Sequence, residues 1–71
     1  MQLALIVEDD SELAQALKSS LTKEGLKVDL AKNLRIASIL VAQYQYNLVI
    51  LDRVLPDGDG IDLVERILEI N

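Results

Sequence analysis

The sequence contains no cysteine, no histidine, no phenylalanine and no tryptophan. Without cysteine, neither disulfide bonds nor thiolate metal sites can stabilise the fold, and the composition suits a reducing cytosol. Glycine occurs three times and proline once, and no low-complexity linker or domain boundary is visible. The 71 residues, of which 51 % are hydrophobic, are therefore enough for one small globular domain at most.

Basic residues are also scarce, because seven Lys and Arg stand against twelve Asp and Glu, for a net charge of −5. Contacts to nucleic-acid phosphates need clustered Lys and Arg, so this balance argues against nucleic-acid binding by the chain itself. No apolar run approaches the roughly 20 residues of a membrane helix. The apolar start at Leu3–Val7 is too short for a signal peptide. We expect a soluble, cytoplasmic protein with no membrane partner.

An apolar burst followed by a helical stretch occurs three times along the chain. The first and third bursts are continuously apolar, which is typical of strands buried on both faces. The second alternates between apolar and polar residues, as an edge strand does. Allowing about one to a few residues of error at each end, the predicted strands are residues 3–7, 27–31 and 48–52, and the predicted helices are residues 12–24, 34–44 and 60–70.

Polar residues and glycines mark the expected ends of these helices. The short polar side chains favoured at N-caps belong to Ser11, Asn33 and Asp59. Gly25 suits the left-handed residue that ends a helix. Pro56, Gly58 and Gly60 predict a loop between the third strand and the third helix.

Strand–helix alternation with short connections predicts an α/β fold, βαβαβα, with a parallel sheet and right-handed crossovers. Since the second strand alternates and the other two do not, the simplest strand order is 2-1-3. In this order the first strand is central. The third strand looks as buried as the first, although no further strand follows among these residues to cover its outer edge.

Acidic residues follow the two continuously apolar strands. Glu8 and Asp9 come directly after the first strand, and Asp52 closes the third. Because the carboxyl ends of adjacent parallel strands meet in one crevice, these carboxylates should converge and repel one another. Hard oxygen ligands without His or Cys favour Mg²⁺ as the neutralising cation. The alternative is that the acids simply lie in solvent. This alternative explains a single acid well, but it is a weaker explanation for three acids that each follow an apolar strand. Asp10 is expected to serve the start of the first helix instead.

Two segments of the chain carry a family resemblance. The first is LIVEDD over residues 5–10, and the second is LVILDRVLPDGDG over residues 48–60. With a proline four residues after Asp52 and a glycine eight residues after it, the chain resembles the receiver domain of bacterial response regulators. The Glu-Asp pair and the Leu-Pro after Asp52 are similar to receivers that precede winged-helix DNA-binding domains. The resemblance implies a flavodoxin-like (CheY-like) receiver fold.

The resemblance also implies a role for each acid. Asp52 would be the phosphoacceptor, taking a phosphoryl group from a histidine kinase. Asp9 would bind Mg²⁺ directly and Glu8 through a water molecule, and the backbone carbonyl of Val54 would be a further ligand. Arg53 is expected to face solvent or the mouth of the site. Such a chain is not an enzyme, except as a participant in its own phosphoryl transfer.

Receivers of this family have about five strand–helix units, and their Ser or Thr, Lys and switch aromatic from the fourth and fifth strands have no counterpart here. We therefore interpret residues 1–71 as an incomplete receiver, a fragment of a longer regulator. We expect Mg²⁺ binding to survive, phosphorylation to be impaired and signalling to be lost. DNA would be bound only through an output domain that these residues do not include.

A second interpretation is a structural piece that keeps the scaffold, and Mg²⁺ binding at most, and associates with itself. An uncovered third strand promotes pairing with another chain, so we expect a homo-oligomer, such as a dimer that joins two sheets. The second helix is apolar over more than one stripe and is either a packed core helix or a contact surface. A magnesium phosphatase with an Asp-x-Asp motif fits poorly, because Glu8, Asp9 and Asp10 lack that spacing.

Overall fold

The computed structural model describes residues 2–70, with the side chains of residues 2–68. The elements follow one another in the order β1 (Leu3–Val7), α1 (Ser11–Lys23), β2 (Lys27–Ala31), α2 (Leu34–Gln43), β3 (Leu48–Leu51), β4 (Val54–Leu55), β5 (Gly58–Asp59) and α3 (Ile61–Ile70). Each predicted strand and helix has a counterpart whose ends differ by at most one residue. Within the described part of the chain, no helix is long and apolar enough to cross a membrane.

The main sheet has the order β2-β1-β3, and both strand pairs are parallel. Leu5 at the centre of β1 lies opposite Asp29 of β2 and Val49 of β3. The predicted α/β class and the strand order 2-1-3 are therefore confirmed. The uninterrupted apolar sequence of β1 fits this central place, since such a strand must be covered on both faces.

The third strand is less buried than its sequence indicated. Residues 4–7 of β1 are all fully buried, whereas β3 is only half-buried and Leu48 is exposed. Among residues 2–70, β3 pairs with β1 alone, so its other edge has no strand beside it. The expectation that the third strand is as buried as the first is wrong for this reason.

The alternating side chains of β1 divide the core into two clusters. Leu5 and Val7 point to one face of the sheet, where they pack with residues of α2 and α3. Ala4 and Ile6 point to the other face and pack against α1. A strand with apolar residues at every position is thus covered by helices on both sides, as the period of two in a strand requires.

The first helix starts differently from the prediction. Ser11 is the first helical residue, and Asp10 is the N-cap, with its side chain accepting hydrogen bonds from the N–H groups of Glu12 and Leu13 at 3.0 and 3.2 Å. The prediction that Ser11 is the N-cap is therefore wrong. The Asp10 carboxylate offers the positive end of the helix a full negative charge as well as a hydrogen-bond acceptor. The placement of Asp10 at the start of the helix agrees with expectation.

Two other helix ends follow the sequence signals. Asn33 is the N-cap of α2, and its side chain accepts from the N–H of Ile36 at 2.8 Å. Gly25 has a φ of +91°, and its N–H donates to the carbonyl of Thr22 at 3.0 Å. The N–H of Leu26 donates to the carbonyl of Leu21 at 3.2 Å, which completes a Schellman motif after α1.

The predicted loop before α3 contains a small hairpin. Its strands β4 and β5 pair antiparallel, with Val54 opposite Asp59 and Leu55 opposite Gly58. The turn that joins them is Pro56 and Asp57. Sequence reasoning placed turn residues here correctly but missed the hairpin, because strands of two residues show no hydrophobic period.

Candidate functional site

The site lies at the carboxyl end of the parallel sheet, where β1 and β3 stop. The ladder of backbone hydrogen bonds continues one residue past each strand: the N–H of Glu8 donates to the carbonyl of Ala31 at 2.9 Å, and the N–H of Asp52 donates to the carbonyl of Val7 at 3.0 Å. The backbones of Glu8 and Asp52 are therefore held by the sheet itself.

Three carboxylates meet at this edge. One oxygen from each of Glu8, Asp9 and Asp52 lies within 4.8 Å of the others. Glu8 and Asp52 are partly buried, while Asp9 is exposed. The structure thus brings together the three acids that the sequence predicted to converge. Asp10 lies next to them in the chain but turns its carboxylate to α1.

Backbone N–H groups orient two of these side chains. The N–H of Asp10 donates to Oε2 of Glu8 at 3.1 Å, and the N–H of Val54 donates to Oδ1 of Asp52 at 3.2 Å. Each contact spans two residues, so each acid is oriented by the loop that directly follows it. Val54, the fourth residue of the predicted site, is thereby placed beside Asp52 through its N–H.

Among the described side chains, no Lys or Arg forms an ion pair with these three acids. Arg53, the residue after Asp52, pairs instead with Asp59 at 3.4 Å, and its side chain is 76 % exposed. This agrees with the expectation that Arg53 faces solvent. The negative charge of the cluster is therefore not balanced by the neighbouring basic side chain.

The pKa of the Glu8 carboxyl reflects this crowding. The hydrogen bond from the Asp10 N–H acts to lower that pKa, but burial, a hydrogen bond with Asp9 and the charge of Asp52 together outweigh it. The net result is a raised pKa. Carboxylates whose proximity favours protonation are a setting in which a bound divalent cation would relieve repulsion.

Gly60 closes the loop that follows Asp52. Its N–H donates to the carbonyl of Arg53 at 2.7 Å, and a Cβ at this position would lie 2.5 Å from the carbonyl oxygen of Asp52. The same Cβ would lie 2.9 Å from Cγ of Leu51. Only glycine lets the loop pass this close to the backbone of Asp52, so the predicted shaping role of Gly60 has a steric cause.

Asp57 is a residue near the site that sequence reasoning did not single out for a contact. Its Oδ1 accepts from the N–H of Leu34 at 2.8 Å, and its Oδ2 accepts from the N–H of Arg35 at 3.0 Å. These bonds, the one to Leu34 first, outweigh the opposing effect of desolvation and lower the pKa of the Asp57 carboxyl. The one sequence signal for this contact is the lack of an acid in the first turn of α2.

Comparison with known proteins identifies the class of domain to which this site belongs. The family described as "Response regulator receiver domain" matches residues 4–71. The transcriptional regulatory protein PmrA of Pectobacterium parmentieri is 45 % identical over 62 residues, which are 87 % of this chain and 28 % of that protein. The chain belongs to the response regulator receiver family.

Solved structures agree with this assignment. The non-phosphorylated HemR receiver domain of Leptospira biflexa is 38 % identical, with a TM-score of 0.93 over 100 % of this chain and 57 % of that one. The MaeR response regulator bound to beryllium trifluoride is 32 % identical, with a TM-score of 0.87 over 97 % of this chain and 58 % of that one. The chain spans less than a third of the length of the curated relatives it matches.

Proposed function

We propose that this chain is a phosphoacceptor module of a two-component response regulator. Asp52 receives a phosphoryl group from the phosphohistidine of a histidine kinase. The single observation that carries the proposal is the convergence of Glu8, Asp9 and Asp52, with one oxygen of each within 4.8 Å of the others, at the end of adjacent parallel strands. Family membership supplies the partner class, since receivers pair with histidine kinases.

Asp52 is best placed to act as the nucleophile. The sheet holds its backbone through Val7, and the Val54 N–H engages Oδ1, so the carboxylate is oriented at the end of β3. A carboxylate oxygen that attacks phosphorus forms a new P–O bond as the P–N bond of the donor breaks, and the imidazole leaves with the electron pair. The product is a mixed anhydride on Asp52.

The donor set fits a magnesium ion. The groups are carboxylate oxygens, with no nitrogen or sulfur ligand nearby, and the pKa of Glu8 is raised in part by the charge of Asp52. Asp9 and Asp52 would bind the ion directly, Glu8 through water, and the backbone carbonyl of Val54 would complete the protein's share. When bound, Mg²⁺ supplies charge neutralisation for the phosphoryl oxygens.

Beryllofluoride, which a solved relative binds, provides the test. We expect it to bind this chain in the presence of Mg²⁺, as followed by fluorine NMR and by the amide shifts of residues around the site. Asp52→Asn should abolish the bound signal. Asp62→Asn is the matched control, because it removes the same charge from an exposed position in the first turn of α3. Equal binding by both variants would overturn the assignment of Asp52.

Phosphorylation itself is tested with a small P–N donor such as phosphoramidate. We expect a slow, Mg²⁺-dependent gain of one phosphoryl group, detected by intact mass and lost in Asp52→Asn. The rate should be lower than in a chain that also carries a Ser or Thr and a Lys against the phosphoryl oxygens, because two charge-stabilising contacts are then added. A rate equal to that of such a chain would contradict the expected impairment.

A second candidate function, self-association without phosphorylation, is favoured by a different observation. Within residues 2–70 the outer edge of β3 has no strand beside it, and Leu48 on this strand is 39 % exposed. The second helix buries Ala37 and Val41 in the core, but Ile39 is 49 % exposed, so the helix is not packed on all sides. Unpaired strand edges promote pairing between chains.

Sedimentation velocity over a range of concentrations separates the two candidates. A homo-oligomer that binds neither Mg²⁺ nor beryllofluoride would favour the structural role. A monomer that binds both would favour the phosphoacceptor role and would contradict the expected homo-oligomer.

The exposed edge of β3 is probed by the variant Leu48→Lys, which places a charge on this strand. Replacing Val49 of β3 by Pro would be too disruptive, because proline cannot donate a hydrogen bond to a strand ladder.

A further inference from the structure

The hairpin β4–β5 carries Val54, and something must hold this hairpin at the edge of the sheet. The Val54 side chain is 79 % exposed, so it contributes little to that attachment. Leu55, the next residue, is 6 % exposed and packs into the core beside α2 and α3. The position of the Val54 backbone therefore depends on the residues that follow it in the hairpin.

Asp57, at the turn of the hairpin, provides a second attachment. Its two carboxylate oxygens accept from the first two N–H groups of α2, those of Leu34 and Arg35, at 2.8 and 3.0 Å. Asn33 satisfies the third, that of Ile36, at 2.8 Å. Asp57 thus supplies, from 22 and 23 residues away in sequence, the negative charge that the first turn of α2 lacks.

The hairpin is closed at its base by the site itself. The Gly60 N–H donates to the carbonyl of Arg53 at 2.7 Å, and the Val54 N–H donates to Asp52 at 3.2 Å. The hairpin is thus attached to the acidic cluster at one end and to the start of α2 at the other. Asp57 is not part of the carboxylate group formed by Glu8, Asp9 and Asp52.

We propose that Asp57 is a positioning residue for the magnesium site: its hydrogen bonds to α2 hold the β4–β5 hairpin, and with it the backbone carbonyl of Val54, beside Asp52. This inference rests on the proposed function, in which that carbonyl is a ligand of Mg²⁺. The simpler alternative is that Asp57 only caps α2. In that case its loss would affect the stability of the helix and leave the metal site unchanged.

Asn33 provides the matched control. It caps the same helix, through Ile36, but is not part of the hairpin. Asn33→Ala therefore weakens α2 without releasing the hairpin, whereas Asp57→Ala does both. Asp57→Asn keeps one amide oxygen as an acceptor and tests for partial rescue. All three variants are made in this same 71-residue chain.

Two measurements are compared across these variants. The first is the Mg²⁺ dissociation constant, from amide shifts in an NMR titration, because the chain has no tryptophan to report binding by fluorescence. We expect Asp57→Ala to weaken Mg²⁺ binding by about tenfold, as loss of an outer-shell support does, and Asp57→Asn to weaken it less. Asn33→Ala should leave the constant unchanged. The second is hydrogen exchange of the Gly60 N–H without metal, which should quicken in Asp57→Ala, quicken less in Asp57→Asn and stay unchanged in Asn33→Ala.

The outcomes separate the two proposals. Equal changes in Mg²⁺ affinity and in Gly60 exchange for Asp57→Ala and Asn33→Ala would show that Asp57 only caps the helix, and would overturn the inference. If the unaltered chain shows no saturable Mg²⁺ binding, the proposed function fails. Gly60 exchange then still decides whether Asp57 holds the hairpin. If Asp57→Ala does not fold, the same comparison is made between Asp57→Asn and Asn33→Ala.

Discussion

The hydroxyl of Tyr46 donates a hydrogen bond to Oδ2 of Asp29 at 2.8 Å. Asp29 lies in β2 and Tyr46 lies two residues before β3, so this bond links the two strands on either side of β1. Tyr46 is partly buried, and its pKa is raised by burial first and then by Asp29. The hydroxyl therefore stays protonated and remains a donor throughout the usual pH range.

Tyr46→Phe removes this hydrogen bond while keeping the ring. We expect the free energy of unfolding to fall by about 1 kcal/mol, the net value of a partly buried hydrogen bond. Urea denaturation followed by circular dichroism measures the change. Tyr44→Phe is the control, because the Tyr44 ring is 50 % exposed and meets Tyr46 only through an edge contact between the rings. An equal loss in both variants would contradict a specific role for the Asp29 bond.

The N-cap of α1 can be tested by comparing two adjacent residues. Asp10→Ala removes the acceptor of the Glu12 and Leu13 N–H groups and should cost about 1 kcal/mol of stability. Ser11→Ala should cost much less, because Ser11 lies inside the helix, where alanine has the higher propensity. Denaturant titrations of both variants give the comparison. A larger loss for Ser11→Ala would restore Ser11 as the cap.

Two glycines should respond differently to substitution by alanine. Gly25→Ala should cost about 1 kcal/mol, because Gly25 has a φ of +91° but open space around a new Cβ. Gly60→Ala should cost more and should also weaken Mg²⁺ binding, because its Cβ would overlap the carbonyl oxygen of Asp52. Thermal unfolding and Mg²⁺ titration check both effects. Mg²⁺ binding by Gly60→Ala equal to that of Gly25→Ala would contradict the steric account.

The pH dependence of stability should include a contribution from Asp57. Its folded pKa is lower than its ordinary value of 3.8, chiefly because the Leu34 N–H bonds the charged form. The stabilisation is therefore fully present above 3.8 and is lost as the pH falls through the lower, folded pKa. Unfolding free energies measured from neutral to acidic pH should fall less steeply in Asp57→Asn than in the unaltered chain. Parallel curves would show that Asp57 contributes nothing in this range.

Much of the fold could be predicted because the signals are local. Alternation marks β2 as an edge strand and uninterrupted apolar sequence marks β1 as covered on both faces, so 2-1-3 is the simplest strand order. The convergence of Glu8, Asp9 and Asp52 then needs no side-chain detail, because parallel strands that are neighbours in a sheet end at the same edge. The predictions that Asn33 caps α2 and that Gly25 ends α1 were likewise correct, since helix caps are properties of a short segment.

The predictions that were wrong concerned either the burial of a strand, which depends on neighbours distant in sequence, or the choice between two adjacent residues that are equally good N-caps. Asp10 and Ser11 are both good caps, and only the path of the chain out of β1 decides between them. β3 is as apolar as a central strand, and its burial depends on whether another strand lies beside it. No local pattern distinguishes these cases.

For this protein, then, the sequence by itself determined the class of fold, the strand order and the acids that meet at its edge, because hydrophobic period and strand ends are readable along the chain. The tertiary structure alone decided how the loop after Asp52 is held. The contact of Asp57 with Leu34 and Arg35 joins segments 22 and 23 residues apart. The need for glycine at position 60 arises only when the loop folds back onto Asp52. Both are contacts between segments that no spacing in the sequence encodes.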